Sequence, residues 1–340
     1  MTPNLFDVSA ARRGQLEPFI QALQGLETVA LSTHINADGD GCGSETAFAR
    51  LLAQMGIAVR IVNPTPWPTL FEFLLGPDIA ERSSKGAQGF KGIDALVVLD
   101  INDVRRLGNL ADAVRGLSVL KLVIDHHVPS DDPAGSVIVA DTTACATGEL
   151  VFDFAKVAGL TITPEIGRSI YTAIVTDTGG FRFSNTTPRA HAVAAELLAA
   201  GVDQAEIYQK VYASAPAGRI RLMADVLSTL GVDEVNGITW LSMDAGALEK
   251  FDVKSEDLDG IVENARSIAG TKMALFFRDL GHGKVKLSVR TTGSVDANAF
   301  ARQFGGGGHV RASGALVAGT MEEVREKVLA AAQTFAASSR

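Results

Sequence analysis

One histidine and two aspartates fall within seven residues in the stretch THINADGDGCGSE (33–45), and glycines follow them. An imidazole and carboxylates this close together can ligate a divalent cation, open a calcium loop or border a phosphate-binding turn. The calcium loop fails, because Ala49 stands where a twelve-residue loop starting at Asp38 needs its terminal glutamate. Three other segments carry the same residue types. Asp100 ends ALVVLD, Asp125-His126-His127 end LKLVIDHH, and Asp177 lies in VTDTGG. Each follows apolar sequence, where a lone charge is costly to bury. Four segments that each deliver Asp or His to one place are best satisfied by a pair of first-row divalent ions, Mn²⁺, Zn²⁺ or Co²⁺. Two such ions ~3.5–4 Å apart form the clamp that hydrolyses phosphate esters. A shared carboxylate must then bridge them, and Asp100 is the candidate.

The elements that position these residues follow from the hydrophobic pattern. ETVALSTH (27–34), IAVRIVN (57–63), ALVVLDI (95–101), LKLVIDHH (120–127) and SVIVAD (136–141) read as strands. SETAFARLLAQMG (44–56), CATGELVFDFAKVAG (145–159) and PEIGRSIYTAIVTDTG (164–179) read as helices. The alternation predicts an α/β fold with a mainly parallel sheet, and ligands collect at the carboxyl ends of such strands. Residues 187–230 read as a helical connector. Beyond it, GITWLSM (237–243), KMALFFRDL (272–280) and KVKLSVR (284–290) read as hairpin-like strands, with DLGHGK turning between the last two, and a helix closes the chain from Met321 to about 332. The expected organisation is a catalytic domain over 1–186, the connector over 187–230 and a smaller α/β domain over 231–340.

Composition narrows the function. The 340 residues carry a net charge of −8, with no basic footprint for duplex nucleic acid or an anionic membrane. No apolar run reaches the ~18–20 residues of a membrane span. Two cysteines, Cys42 and Cys145, imply no disulfide framework, so a cytoplasmic setting is expected. Three of the six histidines fall in the candidate segments; His191 and His282 have no motif around them.

Taken in order, His34-x-x-x-Asp38-x-Asp40, Asp100, Asp125-His126-His127 and Asp177 resemble the four motifs of the DHH phosphoesterase superfamily. GGGGHVRASG (305–314) resembles the glycine-rich signature of the DHH-associated domain, first type. YTAIVTDTGGFRFSNTTPR (171–189) and the chain length resemble the bifunctional oligoribonuclease and pAp phosphatase branch. One departure is Ala37, where the superfamily commonly has proline; that position ligates nothing. The resemblance implies His34, Asp38 and Asp100 on one metal, and Asp40, Asp100, His126 and Asp177 on the other, with Mn²⁺ the usual ion. It implies that His127 faces the scissile phosphate and that Asp125 orients the loop or a ligating imidazole. The implied substrates are short single-stranded RNA oligonucleotides or pAp, not duplex; linear dinucleotides (pApA, pGpG) and pyrophosphate are the alternatives, and a nucleotide sensor that binds without cutting is the non-catalytic one. A homodimer is compatible with the resemblance.

In the second domain, glycines 305–308 let backbone approach a ligand and leave N–H groups free, as phosphate-binding turns do. Gly306, Gly307, Gly308 and His309 are therefore candidate substrate contacts, with Arg311 and Ser313 beside them. Ser288 and Arg290 share one strand face at period two, and arginine suits a terminal phosphate. The expectation is that Ser288, Arg290 and His309 grip the far end of the substrate while a cleft between domains measures its length. Arg182, just after Asp177, is a candidate for the substrate backbone.

Overall fold

Residues 5–258 and 260–338 are described by the computed structural model of the chain. They divide into two compact units between Ser214 and Ala215.

The first unit is built on six parallel strands: β1 (Thr28–Ser32), β2 (Ala58–Ile61), β3 (Ala80–Glu81), β4 (Ala95–Leu99), β5 (Leu120–Asp125) and β6 (Val137–Ala140). Their order is β3-β2-β1-β4-β5-β6. All five residues of β4 are buried, because both faces of a central parallel strand are covered. One face packs under α1 (Ala10–Leu23), α2 (Gly39–Gln54), α4 (Thr147–Ala158) and α5 (Pro164–Asp177), where Phe19, Phe48 and Phe154 meet edge to face. The other face packs against Phe90, Val104, Leu107 and Leu110, and against α3 (Ala111–Gly116). The chain runs from β1 outward to β3, then returns to β4 and runs out the other way. That reversal makes the carboxyl ends of β1 and β4 a switch point, where open α/β sheets hold ligands.

Two expectations are corrected here. The helix expected from Ser44 starts five residues earlier, since α2 begins at Gly39 and Asp38 is its N-cap. An early start is possible because a Cβ at Gly39 would collide with Thr176 and one at Gly43 with the Ser169 carbonyl oxygen, so glycine there lets α2 press on α5. Residues 187–230 are not a separate connector: α6 (Pro188–Ala199) and α7 (Gln204–Tyr212) pack on α5 in the first unit, whereas α8 (Ala217–Leu227) lies in the second. Their apolar faces are spent on the neighbouring units, which a pattern of consecutive helices does not reveal.

The second unit holds a mixed six-stranded sheet of β7 (Gly231–Asp233), β8 (Ile238–Met243), β9 (Met273–Asp279), β10 (Lys284–Thr291), β11 (Gly307–Gly308) and β12 (Ala312–Ala318), ordered β11-β12-β10-β9-β8-β7. The β9–β10 hairpin is as expected, but β8 and β9 run parallel. A crossover through α9 (Ala247–Lys250) and α10 (Ile261–Arg266) separates them, and α10 packs on the sheet. The opposite face is covered by α11 (Ala297–Arg302) and by α12 (Met321–Ser338), which outruns its expected end.

Candidate metal centre

The β1–α2 turn is held from three sides. Thr33 N donates to Asn63 Oδ1 at 3.0 Å, Ile35 N to the Arg106 carbonyl at 3.1 Å, and Asn36 N to Thr65 Oγ1 at 2.8 Å. Asp38 caps α2 by accepting from the amides of Asp40 and Gly41 with Oδ1, which leaves Oδ2 facing His34 Nε2 at 3.8 Å. Asp40, the second residue of α2, is buried. Its Oδ2 accepts from Thr147 N at 2.6 Å, and its Oδ1 from Gly148 N at 2.9 Å and Ser44 Oγ at 3.1 Å. The positive end of α4 therefore grips this carboxylate. At the end of β4, Asp100 takes φ of +64°, an uncommon conformation for a non-glycine residue and one that concentrates at functional sites.

These residues converge. Asp100 turns Oδ2 toward His34 Nε2 at 3.3 Å and Oδ1 toward His126 Nε2 at 3.6 Å. His126 Nε2 also faces Asp40 Oδ2 and Asp177 Oδ2, each at 3.7 Å. Among the described residues three overlapping groups able to hold a cation result: His34, Asp38 and Asp100; Asp40, His126 and Asp177; and Asp100, His126 and His127. His34 Nδ1 bonds the Ile35 carbonyl at 2.9 Å and His126 Nδ1 the Ala144 carbonyl at 3.4 Å, which turns each Nε2 toward the carboxylates as the atom that would ligate once it gives up its proton. Both Nε2 atoms are buried without a hydrogen-bond partner. Orphaned imidazole nitrogens aimed at clustered carboxylates fit divalent cations.

The electrostatics agree. Burial pushes Asp40 well up, and Asp100, Asp177 and Asp38 add to the push. Burial raises Asp177 to about 6; His126 pulls it down, and Asp100 and Asp38 push it up. Burial pulls the His34 imidazole down, but hydrogen bonds to Asp100 and Asp38 overcome it and lift the group to about 10. The field that draws a proton to His34 draws a divalent cation to the same place.

Asp125 faces His127 and Asn102 rather than His34 or His126. Its Oδ1 accepts from His127 Nδ1 at 2.7 Å and its Oδ2 from Asn102 Nδ2 at 2.5 Å. His127 is half exposed and, with Nδ1 tied down, presents Nε2 outward. Asp125 raises its pKa foremost. Sequence reading missed Thr147, Asn185 and Asn102. Thr147 Oγ1 donates to Asp100 Oδ1 at 3.1 Å, and Asn185 Nδ2 to Asp177 Oδ2 at 3.0 Å. The signal for Thr147 was its place at the first turn of an apolar helix; the two asparagines carried none.

The candidates of the second unit are more constrained than expected. The glycine run is one arm of a tight hairpin, with Gly307 and Gly308 paired to Gly314 and Ser313. Its amides are not free: those of Gly305, Gly306, Gly308 and His309 donate to Arg302 O, Ala301 O, Asn298 Oδ1 and Ala312 O. A Cβ at Gly306 would strike the Gly314 carbonyl oxygen, so the glycine serves close strand approach. Ser313 and Arg311 are also engaged, with the His309 and Val295 carbonyls. Ser288 and Arg290 do share one β10 face, the one that α10 covers, but Arg290 Nε pairs with Glu263 Oε1 of α10 at 3.1 Å. His309 is exposed. Arg182 Nε donates to the Gly179 carbonyl at 2.6 Å, within its own turn.

Known proteins place this architecture in a class. Residues 28–175 match the DHH family N-terminal domain and residues 238–338 the DHHA1 domain. The chain belongs to the DHH family of phosphoesterases, in the branch that carries DHHA1, as its motifs led one to expect. It is 35% identical to the bifunctional oligoribonuclease and PAP phosphatase NrnA of Thermus thermophilus over 92% of this chain and 90% of that protein. Identity to the Bacillus subtilis protein of the same name is 27%, covering 88% of this chain and 92% of the relative. An exopolyphosphatase-related protein from Bacteroides fragilis superposes with a TM-score of 0.87 at 28% identity, covering 95% and 97% of the two chains. Exonuclease RecJ bound to manganese shares the fold, with a TM-score of 0.55 at 15% identity, covering 98% of this chain and 96% of that one. No helix among the described residues is long and apolar enough to cross a membrane.

Proposed function

We propose that this protein is a metal-dependent phosphoesterase that hydrolyses short oligoribonucleotides to mononucleotides and removes the 3′-phosphate of pAp to give AMP. The observation that carries the reading is Asp100, whose two oxygens face two separate histidine–carboxylate groups. The names of the relatives, oligoribonuclease and PAP phosphatase, support the substrate class. His34, Asp38 and Asp100 would hold one ion, and Asp40, Asp100, His126 and Asp177 the other, with Mn²⁺ as the ion. Such a pair supplies Lewis-acid neutralisation of a phosphoryl group and lowers the pKa of water. Asp125 fixes the ring of His127, and Asn102 fixes Asp125, so the free Nε2 is set to bond the scissile phosphate and to pass a proton to the departing oxygen. Thr147 and Asn185 hold Asp100 and Asp177 in place. The two buried, unpaired cysteines suit a cytoplasmic enzyme.

The test is a 5′-labelled RNA ladder from dimer to twenty-mer, with pAp and pyrophosphate alongside, in Mn²⁺ and in EDTA. Mn²⁺-dependent loss of the shortest RNAs and of pAp, with the twenty-mer little touched, is the expected result. Cleavage of pyrophosphate alone would refute the substrate class, and no turnover with intact metal binding would leave a nucleotide sensor.

In this reading Ser288, Arg290 and His309 hold the 5′-phosphate end of the substrate. Because Arg290 is already paired with Glu263, it must exchange that partner for phosphate. Arg290→Ala is expected to raise KM for a 5′-phosphorylated dinucleotide about tenfold or more, consistent with loss of a charge-assisted hydrogen bond, while leaving bis-(p-nitrophenyl) phosphate nearly unaffected. Equal losses on both substrates would remove Arg290 from the substrate.

A further inference from the structure

Two adjacent arginines beside His127 are held very differently. Both line an open cavity of about 490 Å³ with His127 and Ser130, and the acids on its wall are already engaged, Asp103 and Asp131 with Arg105 and Asp125 with His127. Arg105 is committed: its guanidinium grips Asp103 at 2.6–3.1 Å and reaches Asp131 at 3.2 Å. The main chain of Arg106 is equally committed, since its amide donates to the Asp103 carbonyl and its own carbonyl accepts from Ile35 N, each at 3.1 Å. Ile35 in turn accepts from His34 Nδ1, so Arg106 is stitched to the metal-site turn. Yet its guanidinium has no hydrogen bond or ion pair among the described residues. It shares the wall of this cavity with His127.

A fixed backbone with an unspent, always-charged planar donor set is the arrangement that phosphate recognition uses. We propose that Arg106 is a substrate-holding residue, and that its guanidinium and the Nε2 of His127 line one anion subsite taking a phosphate of the nucleotide. This rests on the phosphoesterase reading above, in which His127 faces phosphate. No covalent step is assigned to Arg106; it binds and orients.

The test reads binding rather than turnover. AMP is titrated calorimetrically into the full-length protein in Mn²⁺ buffer, and Mn²⁺ is counted separately by electron paramagnetic resonance. Arg106→Ala is expected to weaken AMP at least tenfold with the Mn²⁺ count and circular dichroism unchanged. Arg106→Lys should recover part of the loss, since lysine keeps the charge but not the two-pronged geometry. Arg105→Ala should bind AMP within twofold of the parent. Unchanged AMP affinity in Arg106→Ala, an equal loss in Arg105→Ala, or no AMP binding by the parent protein would each overturn the proposal. If the parent binds AMP but cuts no oligonucleotide, the substrate reading fails while the Arg106 comparison still decides the subsite.

Discussion

Asp100→Asn is expected to lower hydrolysis ~10³-fold or more, a loss of about 4 kcal/mol of transition-state stabilisation, and to abolish the rise in melting temperature that Mn²⁺ gives. Asp100 is the residue whose two oxygens face different groups, one His34 and the other His126. An amide has a single acceptor oxygen, and its NH₂ is a donor that no cation accepts. The fold should survive. Asparagine tolerates the +64° φ found here, and its oxygen can still accept from Thr147. In the parent protein an ion present at ~1,000 times its Kd adds about 4 kcal/mol of stability by mass action. Melting with Mn²⁺ and with EDTA reads that difference directly. His34→Ala should keep an intermediate rise, because it empties one group and spares Asp40, His126 and Asp177. A parent-like rise in Asp100→Asn would show that the ions bind without the shared carboxylate.

Arg12→Leu is expected to destabilise the first unit by ~3–5 kcal/mol, because it leaves buried carboxylates without their main partner. Arg12 lies almost wholly inside. It bonds Asp141 at 2.5 Å and Asp153 at 2.8 Å, and also pairs with Glu149. Glu149 and Asp153 are 1% and 0% exposed, so neither can turn to water, and only Arg189 would remain to serve both. The network reaches the metal centre. Glu149 accepts from Cys145 N at 3.0 Å in the turn before Thr147, whose own amide holds Asp40. Urea denaturation followed by far-UV circular dichroism should show the earlier transition, with exposed Arg13→Leu as the neutral comparison. A parent-like midpoint in Arg12→Leu would mean that the network contributes little beyond neutralising itself.

Arg12 also shows what a linear reading cannot see. The helix that carries it, α1, contains Gly14 and Pro18 and has a weak apolar stripe, so no pattern announces it. An arginine on such a segment looks like a solvated charge until its acids arrive from 129 to 141 positions away. The second sheet makes the same point. Alternation in KVKLSVR revealed the core face of β10, because the two-residue period is a local property. The parallel pairing of β8 with β9 depends on a crossover whose short helices carry little periodicity.

The sequence alone named the histidines and aspartates that the fold brings together at one end of the sheet. Buried parallel strands read as continuous apolar runs, and a polar residue that ends such a run must lie at the strand's carboxyl end. Only the tertiary structure decided which atoms meet: Asp100 facing both histidines, Asp125 bonded to His127 rather than His126, the glycine hairpin closed on itself, Arg290 paired, and the Arg106 guanidinium without a partner among the described residues. Side-chain types are written one position at a time. Which atom faces which is set by distances between segments far apart in the chain, and those exist only once the two faces of the sheet are packed.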